Sequence, residues 1–234
     1  MSRQGRPLLV ATALGVALIA TLPAPASARW FGSTLRAAPN ATYGCESAIV
    51  AQPLGGYALQ PTGQSSCTYR HGGYLFTSRP TFIAPGNGRV TRIRVKSGPN
   101  PAKLRLTVLT GSSRIDTTTG RDLPGTYTCC TARFVGRAFR PRANAITTKR
   151  VNVRVRDVRD RRIRFRIHST DGLALSAVGP GTLPLSIAPE LGVFTTGTPL
   201  AVGYWPHTAK GDPRVDGYSV SGIDLLFQWN FKRR

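Results

Sequence analysis

Acidic residues are scarce in this chain: 10 aspartates and glutamates stand against 32 lysines and arginines, a formal charge of +22 at pH 7. Such an imbalance speaks to partners and solubility rather than to fold. Histidines number three (His71, His168, His207), and none lies near a cysteine at ligand spacing, so a zinc site is not expected. No G-x-S-x-G elbow occurs, which removes the usual setting for a nucleophilic serine. No glycine-rich phosphate loop or dinucleotide fingerprint occurs in a strand–helix context. Beyond Leu22 there is no second long apolar run, and beyond residue 28 no stretch has helical periodicity. Internal repeats and low-complexity linkers are absent as well, so no domain boundary is drawn.

What is present begins with the N-terminus. Arg3 and Arg6 form a basic start, Leu8 to Leu22 is uncharged and mostly apolar, and Ala26-Ser27-Ala28 supplies small residues at cleavage spacing. That layout is a secretory signal peptide. A run of about 15 residues is short of the roughly 20 that span a bilayer. Export with cleavage after Ala28 is therefore expected, leaving residues 29–234 as a single secreted domain with a charge near +20. Only five of the basic residues are lysines, so the excess is carried by arginine. Two readings stand side by side: attraction to a polyanion (an acidic polysaccharide or cell-wall polymer, anionic lipid, or nucleic acid, which export disfavours as a purpose), or a compositional bias of GC-rich coding sequence.

Four cysteines, Cys45, Cys67, Cys129 and Cys130, read as disulfides in an exported chain. Pairing Cys45 with Cys67 closes a short loop and leaves Cys129 with Cys130 as a vicinal pair. Adjacent α-carbons lie only about 3.8 Å apart, so that ring is strained. The alternative sends Cys129 and Cys130 separately to Cys45 and Cys67, which requires partners on both faces of a strand.

Period-two alternation dominates the rest. It runs through Thr91 to Lys96, Lys103 to Val108, Arg150 to Arg156 and Arg162 to His168, with Val, Ile, Leu or Phe on one face and cations on the other. Ser97-Gly98-Pro99-Asn100-Pro101 separates the first two runs and predicts a hairpin. Leu173 to Val178 predicts a buried strand after a turn at Asp171-Gly172, and Leu183 to Ile187 a short edge strand. Ile223, Leu225, Phe227, Trp229 and Phe231 alternate along a final strand predicted from Tyr218 to Phe231. Many short strands and 25 glycines with 18 prolines predict an all-β, two-sheet antiparallel sandwich, jelly-roll-like, with an immunoglobulin-like sandwich as the alternative.

With its Val90–Leu109 hairpin pattern, the Cys129-Cys130 pair and the terminal Gly217–Phe231 segment, the chain resembles uncharacterised secreted β-sandwich proteins of high-GC Gram-positive bacteria. The resemblance implies fold and compartment and attaches no chemistry. Arg166-Ile167-His168 also resembles the Gln-Ile-His strand of jelly-roll polysaccharide lyases, but arginine replaces the glutamine. Their Tyr-x-Lys-x-Gly-x-Tyr-x-Gln strand is missing.

The leading candidate site is a basic sheet face that binds polyanions: Arg92, Arg94, Lys96, Arg105, Arg154, Arg156, Arg162, Arg164 and Arg166, with Lys103 and Arg150 on the same presumed solvent side. The arginine fork suits carboxylate and phosphate. The alternative is a solvated face whose charges discourage edge pairing. Tyr204-Trp205-Pro206-His207 is a candidate sugar-stacking loop, or else a packed sandwich corner, and Tyr43, Tyr57, Tyr69 and Tyr74 could extend such a platform. Glu46, Glu190, Asp171 and Asp224 are the carboxylates available for a glycosidase pair, but no spacing ties any two together. Asp212 to Gly217 offers too few ligands for calcium and predicts a turn. Asn40-Ala41-Thr42 is a glycosylation sequon, relevant only in a eukaryotic secretory pathway. No cofactor or metal is expected, and the sequence favours a non-catalytic exported binding protein, with a carbohydrate-binding module or a weakly recognisable carbohydrate-active enzyme as the alternative.

Overall fold

The computed structural model describes residues 29–51, 57–71, 86–114, 128–156, 167–188, 200–204 and 217–233. They form strands and loops, with no helix among the described residues. In chain order the strands are β1 (Arg29–Gly32), β2 (Ser47–Ala51), β3 (Tyr57–Pro61), β4 (Ser66–His71), β5 (Gly88–Lys96), β6 (Lys103–Arg114) and β7 (Thr128–Val135). They continue as β8 (Ile146–Val155), β9 (Ile167–Val178), β10 (Leu185–Ile187), β11 (Leu200–Tyr204), β12 (Gly217–Ser221), β13 (Ile223–Leu225) and β14 (Phe227–Arg233). One sheet has the order β1-β14-β5-β8 and the other β12-β11-β4-β9-β6-β7, while β2-β3 and β10-β13 form two-stranded pairs beside them.

The antiparallel pairings are nested. β6 pairs with β7, β5 with β8, β4 with β9, and β1 with β14. The chain is one long ribbon doubled back at β6–β7 and rolled so that successive ribbon segments enter opposite sheets. Eight strands wound in this way are a jelly roll. In an immunoglobulin-like sandwich the first strand lies beside the second; here β1 lies beside the last strand, which overturns that alternative.

Inward-facing residues of the two sheets form a single core. Val90, Ile93, Val95, Val153, Val155, Phe227 and Trp229 come from the four-stranded sheet. Cys67, Tyr69, Leu104, Leu106, Val108, Leu173, Leu175 and Ala177 meet them from the six-stranded one. Phe31 of β1 stacks on Trp229 at 4.8 Å between ring centroids. Each fully buried aliphatic or aromatic side chain contributes roughly 1.5–3 kcal/mol, so this core rather than surface charge holds the fold. The Cys45–Cys67 disulfide ties the segment before β2 to the start of β4, with both cysteines buried. It excludes the alternative in which Cys129 and Cys130 take those partners; their own side chains lie outside the described ones.

Three sequence expectations are corrected. The runs at Thr91–Lys96 and Lys103–Val108 do not form a hairpin: β5 and β6 lie in different sheets. The Ser97–Ala102 connection, with prolines at 99 and 101, crosses the roughly 10 Å between sheets instead of turning back within one. The terminal strand is three strands in three sheets, because Gly222 adopts φ +77° and interrupts β12 from β13. Leu226, also buried, then separates β13 from β14. Asp171-Gly172 is not a turn but lies inside β9, opposite Thr110 and Leu109 of β6. The short edge strand near Leu185 is present as β10, which among the described residues pairs with β13.

Candidate functional site

The outer face of the four-stranded sheet is built by alternation on β5, β8 and β14. Val90, Ile93 and Val95 point inward, so Arg92 and Arg94 point outward. Strict alternation would send Val90 outward with them. It is buried because Thr91 is an extra residue against β14: Val90 pairs with Phe231 and Arg92 with the adjacent Asn230. That bulge lets Arg89 and Arg92, three residues apart, share one face. On β8, Val153 and Val155 are buried while Arg150, Asn152 and Arg154 are exposed.

Register then sets like charges opposite one another. Arg92 faces Arg150 and Arg89 faces Arg154 across β5–β8, and Lys232 of β14 stands on the other side of Arg89. Neighbouring strands lie about 4.8 Å apart, so these cations form a compact field. A row across all four strands reads Trp30, Asn230, Arg92, Arg150. From the next row the guanidinium of Arg94 reaches back over the Trp30 indole, 4.2 Å from its centroid. This cation–π contact anchors the Arg94 guanidinium over the indole on the outer face. Arg89 donates to the Asn152 side-chain oxygen at 2.5 Å, and Thr91 donates to the Asn230 oxygen at 2.7 Å. Between described residues the ion pair present is Arg133–Asp171, away from this face.

The expected basic residues therefore divide. Arg92, Arg94, Arg150 and Arg154 share the face. Lys96 belongs to the same strand, but its ammonium donates to the carbonyls of Leu35, Arg36 and Ala37 at 3.2, 3.3 and 2.7 Å, so it pins the segment after β1. Lys103 and Arg105 are on β6, in the other sheet, which corrects the expectation of one shared surface. Arg105 stands opposite Ser176, and its Nε is buried with no hydrogen-bond partner among the described residues. Arg156 follows β8, and its backbone exchanges hydrogen bonds with Asp171. Arg162, Arg164 and Arg166 lie outside the described residues, as does Trp205; Tyr204 ends β11, with its side chain not described. Trp30, Arg89 and Lys232 are additions that sequence reading passed over. Alternation with Phe31 and the arginine in Gly88-Arg89-Val90 are the signals that could have found two of them.

The described carboxylates, Glu46, Asp171 and Asp224, are engaged in structure, while Glu190 lies outside the described residues. Asp171, almost fully buried, accepts hydrogen bonds from Thr110 Oγ1 at 2.7 Å, from Arg133 Nε and Nη2 at 3.0 and 2.5 Å, and from the Arg156 amide at 2.7 Å. Arg133 also donates to the Arg154 carbonyl at 2.7 Å, so this network joins the two sheets at one end. Glu46 accepts from the Gly44 amide. Asp224 accepts from Ser33 Oγ at 2.6 Å. His71 is buried beside it, and its Nε2 donates to the Phe227 carbonyl at 3.2 Å. Ser33 thus hydrogen-bonds the acid and not the imidazole, which is not the nucleophile–base contact a triad requires. Burial pushes the His71 pKa below its ordinary value, against the opposing pulls of Asp224 and the Phe227 carbonyl.

The Asn40 sequon is also occupied: its amide donates to the Ile187 carbonyl at 2.8 Å and accepts from the Ile187 N–H at 2.7 Å. Among the described residues no group of three or more His, Cys, Asp or Glu could hold a metal ion. No helix among them is long and apolar enough to cross a membrane. The chain matches no protein-family model, and no curated protein or solved structure matches it.

Proposed function

We propose that this protein is an exported jelly-roll module that binds an acidic polysaccharide or cell-wall polymer through the outer face of its four-stranded sheet. The observation that carries the reading is the pairing of Arg92 with Arg150 and of Arg89 with Arg154 across β5–β8. Like charges directly opposite each other on a sheet are destabilising, and a compositional excess would be accommodated at lower energy by scattering. A polyanion relieves the repulsion, and guanidinium forks are suited to its carboxylate, sulfate or phosphate groups. Arg94 is braced on Trp30, its guanidinium carbon 4.2 Å from the ring centroid, which limits the freedom it would lose on binding. Export is supported by the basic, apolar and small-residue order of residues 1–28 and agrees with the Cys45–Cys67 disulfide. A binding role rather than catalysis fits the commitment of Asp171 and Asp224 to internal hydrogen bonds.

The test is retention of the protein without residues 1–28 on immobilised polyuronate in rising salt, beside an unrelated protein of similar charge and an Arg92/Arg150/Arg154→Gln variant. The module should outlast both. Co-elution of all three would reduce the charge to composition.

A further inference from the structure

On the side of the sandwich where β7 and β8 are both sheet edges, the gap between the sheets widens at the surface. A cleft of about 150 Å³ lies there, with Ile93 and Leu106 among its lining and Phe134, Phe139 and Val151 around them. Ile93 and Leu106 belong to the buried core, whereas Phe134, Phe139 and Val151 are only partly buried and keep apolar surface in reach of solvent. Phe139 is held in place by reciprocal backbone hydrogen bonds with Leu104, 2.8 and 2.9 Å, so one wall is an aromatic ring fixed to β6.

The charged groups lining this cleft are both cations. Alternation on β8 turns Lys149 toward the inner side, opposite Ile93, unlike its neighbours Thr148 and Arg150. Its ammonium lies 4.9 Å from the centroid of Phe139. Arg137 supplies the second cation and is exposed. The described carboxylates are Glu46, Asp171 and Asp224, none of which lines the cleft.

We infer that this cleft is a second, separate binding site, for a small carboxylate carried on a single aromatic ring. A cavity of this volume lined by Leu, Ile and Phe accepts a benzene-sized group, and the two phenylalanine rings offer faces and edges for it to pack against. A carboxylate on that ring meets the Lys149 ammonium, already positioned beside Phe139, while its ring replaces water on Val151 and Phe134. A sugar ring is a poorer fit because the walls named here are apolar and would leave its hydroxyls unpaired.

Benzoate is the probe, with benzyl alcohol as its uncharged counterpart and acetate as its ringless one, each titrated into the protein and followed by calorimetry or amide NMR. Benzoate is expected to bind about tenfold more tightly than benzyl alcohol, and acetate not to bind. Lys149→Met should bring benzoate down to the level of benzyl alcohol and leave benzyl alcohol unchanged. Val151→Trp, which fills the cleft from a partly buried position, should abolish both. Equal affinities for benzoate and acetate would assign the binding to scattered surface arginines and overturn the site, as would benzoate binding that survives Val151→Trp in a folded variant. These ligands carry no polymer, and polyuronate retention should be the same in Lys149→Met as in wild type, so the cleft and the arginine face fail or stand independently.

Discussion

Arg92 of β5 stands directly opposite Arg150 of β8, both side chains exposed and neither matched by a carboxylate among the described residues. The arrangement costs folding energy in the absence of a ligand. Arg150→Glu converts the repulsive pair into an attractive one and should stabilise the protein by about 0.5–1 kcal/mol, read by denaturant unfolding at low ionic strength. The same variant should lose polyanion affinity. The gain should shrink in molar salt, where the Debye length falls to about 3 Å.

The Arg133–Asp171 pair behaves in the opposite way. Removing Arg133 leaves a nearly buried carboxylate with two of its donors gone. Arg133→Met should therefore destabilise by about 3–5 kcal/mol, a larger loss than for Arg154→Gln on the open face, which should stay within about 0.5 kcal/mol. Urea unfolding curves of the two variants decide this.

His71 predicts a pH dependence. Its folded pKa lies below the ordinary 6.5, so below that pH the unfolded chain takes up a proton that the folded chain refuses. Stability is full above about pH 6.5 and falls as the pH drops toward the folded value, by at most about 1.4 kcal/mol per unit. His71→Gln keeps a donor for the Phe227 carbonyl and cannot titrate, so its stability should be flatter over that window than the wild type's.

The Cys45–Cys67 bridge closes a loop of sequence separation 22. Replacing both cysteines by alanine should lower stability by roughly 3 kcal/mol without changing polyanion binding, since neither residue approaches the arginine face.

The legible part of this fold was its local periodicity. Arg92 and Arg94 outward with Ile93 and Val95 inward follow from alternation alone, as does the burial of Ile223, Leu225, Phe227, Trp229 and Phe231. What alternation cannot report is which strand lies beside which. Thr91 to Val108 has the pattern of a hairpin, yet its two halves enter opposite sheets because their partners, β8 and β14 for one and β7 and β9 for the other, come from later in the chain. Those non-local choices also separated Arg105 from Arg92. The bulge at Thr91 was equally hidden, since one extra residue leaves no mark on composition. Asp171 before Gly172 has turn chemistry, and only the arrival of Arg133 from β7 makes its burial tolerable. Trp30 escaped notice beside the predicted cleavage point; its meaning depends on Arg94, 64 residues later.

The central claim rests on the arginine face, and the salt dependence of polyuronate affinity tests it most directly. Each cation that releases a counterion on binding adds to the slope of log K against log salt. Wild type should show a steep negative slope, and Arg92→Gln/Arg150→Gln/Arg154→Gln should lower both the slope and the affinity at physiological salt by tenfold or more. An unchanged slope in that variant would contradict the account, because the charge that binds would then lie elsewhere on the molecule.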